Sequence, residues 1–178
     1  MIELKNINGG YGKKQVLFDI NTIMHENEIT SIIGPNGCGK STLLEISSGL
    51  MKPYEGVVVA DGVNIHEMNA KDRAKKISVL SQQKNPGALT VRALVYHGRF
   101  PYLGYPRKYR DEDRKIVDEA MRTAGIYDLA DESLSELSGG QQQKAYIAML
   151  LAQNTDIVFL DEPVTFLDIN YQLELMEI

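Results

Sequence analysis

Gly34-Pro35-Asn36-Gly37-Cys38-Gly39-Lys40-Ser41 fits the spacing G-x-x-x-x-G-K-[ST], and its reading decides the fold. Glycine recurs in such a loop because backbone N–H groups turn inward around a common centre only where no Cβ intrudes. The loop is entered from residues 29–33, a β-like apolar run, and it leads into residues 41–50. There Leu43, Leu44, Ile46 and Leu50 recur at helical spacing until Gly49 and Pro53 end the helix. Strand, glycine loop and helix in that order form a cradle for a polyphosphate. The positive end of the helix faces the anion, Lys40 can reach the β and γ phosphates, and the Ser41 hydroxyl can ligate Mg2+. Cys38 reads as a small residue at a variable position of the loop.

Working outward, residues 1–33 read as three strands, with a turn at Gly9-Gly10-Tyr11-Gly12 between the first two. Residues 56–65 read as a hairpin around Asp61-Gly62, and residues 77–80 as a short apolar strand. From Pro86 to about Glu136 the texture is helical: residues 91–95 and 111–124 have helix spacing, separated by a loop with Pro101 and Pro106. A further helix follows Ser138-Gly139-Gly140 to about Ala152, and residues 156–160 read as a strand buried in a parallel sheet. The expectation is an α/β fold interrupted by a helical insertion, with residues 1–82 and about 155–178 forming the nucleotide-binding core and about 83–154 the helical subdomain.

Two further stretches carry chemistry. Residues 157–160 deliver Asp161 and Glu162 at the C-terminal end of a strand, where parallel sheets place their ligands. Asp161 suits Mg2+, and Glu162 suits the polarisation of an attacking water. Ser138, Gly139 and Gly140 open a helix and so make a second anion nest of N–H groups, a hydroxyl and a positive helix end.

Composition narrows the classes. The 178 residues are 43% hydrophobic and 24% charged with net charge −5, as in an ordinary globular protein. Arg107, Lys108 and Arg110 make only a short basic cluster, which argues against a nucleic-acid binder. The single cysteine, Cys38, permits no intrachain disulfide and fits a reducing compartment. No run of about 18 uncharged apolar residues occurs, so the expectation is a chain that stays in the cytoplasm and spans no membrane by itself.

Gly34 to Ser41 together with Leu137-Ser138-Gly139-Gly140-Gln141 resembles the ABC ATPase family, in which these are the Walker A loop and the signature. The resemblance implies a P-loop NTPase fold with a mainly parallel core sheet, an N-terminal antiparallel β subdomain and an inserted helical subdomain. It implies ATP and Mg2+ as ligands, held by residues 34–42 including Thr42, by Ser138, Gly139, Gly140 and Gln141, and by Asp161 as the Walker B aspartate. Glu162, Lys40 and Gln82 would then be catalytic, with Ser41, Gln82 and Asp161 near the metal. Tyr11 matches the aromatic that stacks on adenine, and Asp168 in Thr165-Phe166-Leu167-Asp168 matches the D-loop contact between subunits.

In that family two subunits pair head to tail and sandwich ATP between the Walker A loop of one and the signature of the other. Gly98-Arg99-Phe100-Pro101-Tyr102 and the residues around Ala148 to Gln153 look like bacterial importers of ferric siderophores, haem and cobalamin. Such importers imply integral-membrane permease partners, an extracytoplasmic substrate-binding protein, and a peripheral place on the cytoplasmic face of the membrane. The alternatives are a non-transport ABC ATPase, or a nucleotide-binding module with little turnover. Gln142, Lys144 and Val164 depart from the common pattern, a change expected to tune activity. The family's switch histidine should follow the D-loop, whereas His25, His66 and His97 all precede it. The resemblance therefore implies a cassette cut short, with weak nucleotide binding, slow turnover and an uncovered strand edge in its core.

Overall fold

The structure is a computed structural model that describes residues 1–81 and 87–163. The chain divides into two compact units, Met1–Arg73 and the part from Ala74 onward.

The first unit is built on an antiparallel sheet. Strands β1 (Ile2–Tyr11) and β2 (Lys14–Met24) form a hairpin, and β3 (Glu55–Ala60) and β4 (Val63–Asn64) form a second one. Their order in space is β2-β1-β3-β4. The second hairpin turns at Asp61 (φ 49°) and Gly62 (φ 81°), the pair of left-handed residues a tight hairpin demands. Ile2, Leu4, Ile7, Leu17, Val58 and Ala60 point from the sheet into the core, where Leu44 and Ile46 of helix α1 (Lys40–Ser47) meet them. The helix ends earlier than its apolar spacing suggests because Gly49, at φ 79°, leaves the helical region against the Arg73 side chain.

One expected strand is not formed. Residues 29–33 pair with no strand among the described residues, and Ile29 and Ile33 are 92% and 93% exposed. Their β-branched composition favours a pleat, but a strand exists only through the ladder that a neighbour supplies.

Helix α2 (Ala70–Lys76) runs directly into β5 (Ile77–Leu80), which pairs in parallel with β6 (Ile157–Leu160). Helices α3 (Val91–His97), α4 (Asp111–Thr123) and α5 (Gly139–Gln153) pack around Val91, Val95, Val117, Met121, Leu134 and Ala148. α3 and α5 approach so closely at Gly98 that a Cβ there would lie 2.4 Å from the Met149 carbonyl oxygen. A buried ion pair, Arg99 to Asp113 at 2.9 Å, sits nearby, and the same guanidinium donates to the Ala152 carbonyl at 2.9 Å and stacks over Tyr102. Burial opposes charge on Asp113, yet the Arg110 amide and Arg99 hold its carboxyl below the usual aspartate value.

Strand β6 corrects the sequence expectation of complete burial. Phe159 is buried, but Val158 and Leu160 are 51% and 42% exposed and line a cavity of about 300 Å³ with Ile147, Leu150 and Leu151.

Candidate functional site

Helix α1 and the loop before it carry the phosphate-site candidates of the first unit. Gly37 (φ 80°) and Gly39 (φ 102°) take left-handed conformations, and Gly39 is the residue from which the helix starts. A Cβ at Gly39 would also meet Val16 and Leu17 of β2 at 2.9 Å, so glycine is required there twice over. Lys40 folds back over the loop and donates from Nζ to the carbonyls of Gly34 (3.0 Å) and Pro35 (3.1 Å). Its ammonium thus stands over the loop's own backbone, where a polyanion's oxygens could replace the carbonyls. Cys38 is exposed, and Thr42 is buried in the first turn of the helix.

Tyr11 lies at the end of β1 with half of its surface open. Its hydroxyl donates to Glu45 Oε2 at 2.9 Å and receives a long contact from Thr42 Oγ1 at 3.5 Å, both on α1. The sequence singles out Tyr11 and not Glu45. The signal was a lone carboxylate three residues after Thr42 on a helix otherwise apolar or small at that end.

In the second unit, α5 begins at an exposed Ser138 that caps it reciprocally. The Gln141 amide donates to Ser138 Oγ (3.3 Å) and the Ser138 amide to Gln141 Oε1 (2.9 Å). This is the capping box that S-x-x-Q encodes. Gly139 is exposed with open space where a Cβ would be, whereas Gly140 is buried. The helix start therefore carries no side chain at the exposed Gly139, where the positive end of its dipole lies.

Asp161 and Glu162 follow β6. The Asp161 amide donates to the Leu80 carbonyl at 2.9 Å, extending the β5–β6 ladder to the aspartate itself. Glu162 then adopts φ 49°, rare for a residue with a Cβ, and is exposed. Such a reversal fixes where the carboxylate is presented and marks a site worth a functional test. Gln82 and Asp168, together with residues 164–178, lie outside the described residues. Among the described residues no cluster of three His, Cys, Asp or Glu side chains could hold a metal alone. Hydroxyl and carboxylate oxygens are the hard ligands that Mg2+ takes together with phosphates.

Comparison with known proteins adds to this geometry. The ABC transporter family model matches residues 17–165. The chain is 43% identical to the iron(3+)-hydroxamate import ATP-binding protein FhuC of Bacillus subtilis (strain 168), and 47% identical to the ferric enterobactin transport ATP-binding protein FepC of Escherichia coli (strain K12). Each match covers 95% of this chain and 63% of the relative, so the chain spans under two thirds of their length. A solved ATP-binding cassette, dimeric and bound to ADP and Pi in a post-hydrolysis state, superposes with a TM-score of 0.84 at 31% identity. It covers 99% of this chain and 80% of that one.

Proposed function

The chain belongs to the ABC transporter family, and from that premise we propose that it is the ATP-binding and hydrolysing subunit of an importer of ferric siderophores or related iron chelates. The observation that carries the reading is the glycine-hinged loop that starts α1 at Gly39 and presents Lys40 over its own carbonyls. A loop of this form has one good use, the replacement of those carbonyls by phosphate oxygens. The iron-chelate substrate rests on the kinship with hydroxamate and enterobactin transport proteins. The permease and the external binding protein are partners of the same kind of system, and the cytoplasmic membrane face is the place such a subunit works. Among the described residues no helix is long and apolar enough to cross a membrane.

In this proposal Lys40 and the loop amides grip the β and γ phosphates, and the α1 dipole favours their charge. Ser41 and Asp161, with Gln82, would hold Mg2+, which when bound neutralises charge on the transferred phosphoryl oxygens. Glu162 orients and deprotonates the attacking water. The bare start of α5, residues 138–141, closes over the γ-phosphate bound by a second copy in a head-to-tail pair, with Asp168 at the contact. The dimeric cassette among the similar structures supports that pairing.

Titration with ATP, followed by turnover on the same sample, tests the reading. Lys40→Ala should weaken ATP binding by more than about tenfold, the loss of one charge-assisted contact. Glu162→Gln should bind ATP as tightly as the unaltered chain while phosphate release falls by about a hundredfold or more. Binding indifferent to Lys40, or turnover indifferent to Glu162, would remove the basis of the proposal.

A further inference from the structure

We propose that Glu45 is a positioning residue that holds the Tyr11 ring at a set distance from the phosphate loop, so that base and polyphosphate are gripped as one ligand. The inference rests on the reading of Tyr11 as the surface on which the base stacks.

Three observations converge on it. Tyr11 is 51% exposed, so its position is not fixed by packing alone. Its hydroxyl is held between Glu45 Oε2 at 2.9 Å and Thr42 Oγ1 at 3.5 Å. These two side chains are three residues apart and therefore share a face of α1, the helix that Lys40 and Ser41 begin. The turn after Tyr11 is held from a second direction, because Tyr54 donates from its hydroxyl to the Gly12 carbonyl at 2.9 Å, with Gly12 at φ 59°.

The consequence follows from preorganisation. A half-exposed tyrosine free to swing would have to be ordered by the ligand, and that cost would be charged to the base and not to the phosphates. A bond to a carboxylate is stronger than one between neutral groups and fixes the ring beforehand. Because the anchor belongs to the phosphate-binding helix, the spacing from ring to loop is set by one rigid element. Stacking accepts any base, so the tether should separate a nucleoside triphosphate from a bare triphosphate without separating adenine from guanine.

Calorimetric titration of the protein with ATP and with inorganic tripolyphosphate, each with Mg2+, tests the proposal. Glu45→Ala should weaken ATP by about three- to tenfold, the size of one net hydrogen bond to a charged group, and leave tripolyphosphate unchanged. Tyr11→Phe, which keeps the ring and removes the hydroxyl, should behave alike, and the double variant should be no weaker than either single one. Additive losses, or equal losses for both ligands, would overturn the tether, the latter because they report damage to α1. Tyr11→Leu separates the two levels of inference. If it weakens ATP while Glu45→Ala does not, the tether alone is wrong; if it leaves ATP affinity unchanged, the stacking reading falls and the tether with it.

Discussion

His66 shows how a single side chain ties the turn after β4 to α1, the helix that follows the glycine loop. Its Nε2 donates to the Ile46 carbonyl of α1 at 3.1 Å, which leaves Nδ1 as an acceptor, and Nδ1 is buried without a partner among the described residues. Protonation would place a hydrogen on that enclosed nitrogen. Burial, with Arg73 and Lys52 adding to it, accordingly pulls the His66 pKa below its ordinary value, although the bond to Ile46 opposes the shift. The unfolded chain then binds the proton more readily than the folded one, so stability is complete above the ordinary histidine value of about 6.5 and declines as pH falls from there through the depressed folded value. Chemical denaturation between pH 8 and 5 should show that decline, and His66→Gln should flatten it; an unchanged slope in the variant would rule His66 out as its source. None of this was legible in the sequence, where His66 is one of three unremarkable histidines. What decides its role is a contact with a residue twenty positions earlier in the chain.

Elements held to local rules were the readable ones. The Asp61-Gly62 hairpin and the Ser138 cap of α5 follow from the conformations those residue types allow, and both formed where the spacing put them. The closeness of α3 and α5 was hidden, because Gly98 was read only as part of the stretch Gly98 to Tyr102 that resembles the importers and not as a point of contact. Gly98→Ala has to move the Met149 carbonyl, which is helix backbone and cannot yield as a side-chain tip would. It should cost about 1–3 kcal/mol as an overpacked contact, read as a lower midpoint in a denaturant titration. A loss under half of that would mean the helices can part freely. The burial of β6 was misjudged for a related reason: an apolar run tells that a strand can be covered on both faces, not that its neighbours among the described residues cover it.

Across the molecule, exposed apolar surface includes the stretch where the sequence suggested a third strand. Ile29 and Ile33 stand almost fully in solvent ahead of the phosphate loop. Unpaired β-branched residues of this kind promote association between chains. Ile29→Thr with Ile33→Thr should raise the concentration at which light scattering departs from monomer, and each change should alter folding stability by no more than about 0.5 kcal/mol. A marked fall in melting temperature would show instead that these side chains are packed. The candidate site was read from the sequence as a set of motifs, since glycine loops, caps and paired carboxylates suggest their chemistry locally. The bond from Tyr11 to Glu45 and the inward fold of Lys40 were not, because each depends on what the backbone brings alongside. The second of these bears on how nucleotide capture would register in a calorimeter. An ammonium already satisfied by two peptide oxygens would give them up to a triphosphate in the proposed role, so capture would be a swap of partners whose measured heat is the difference between two sets of bonds.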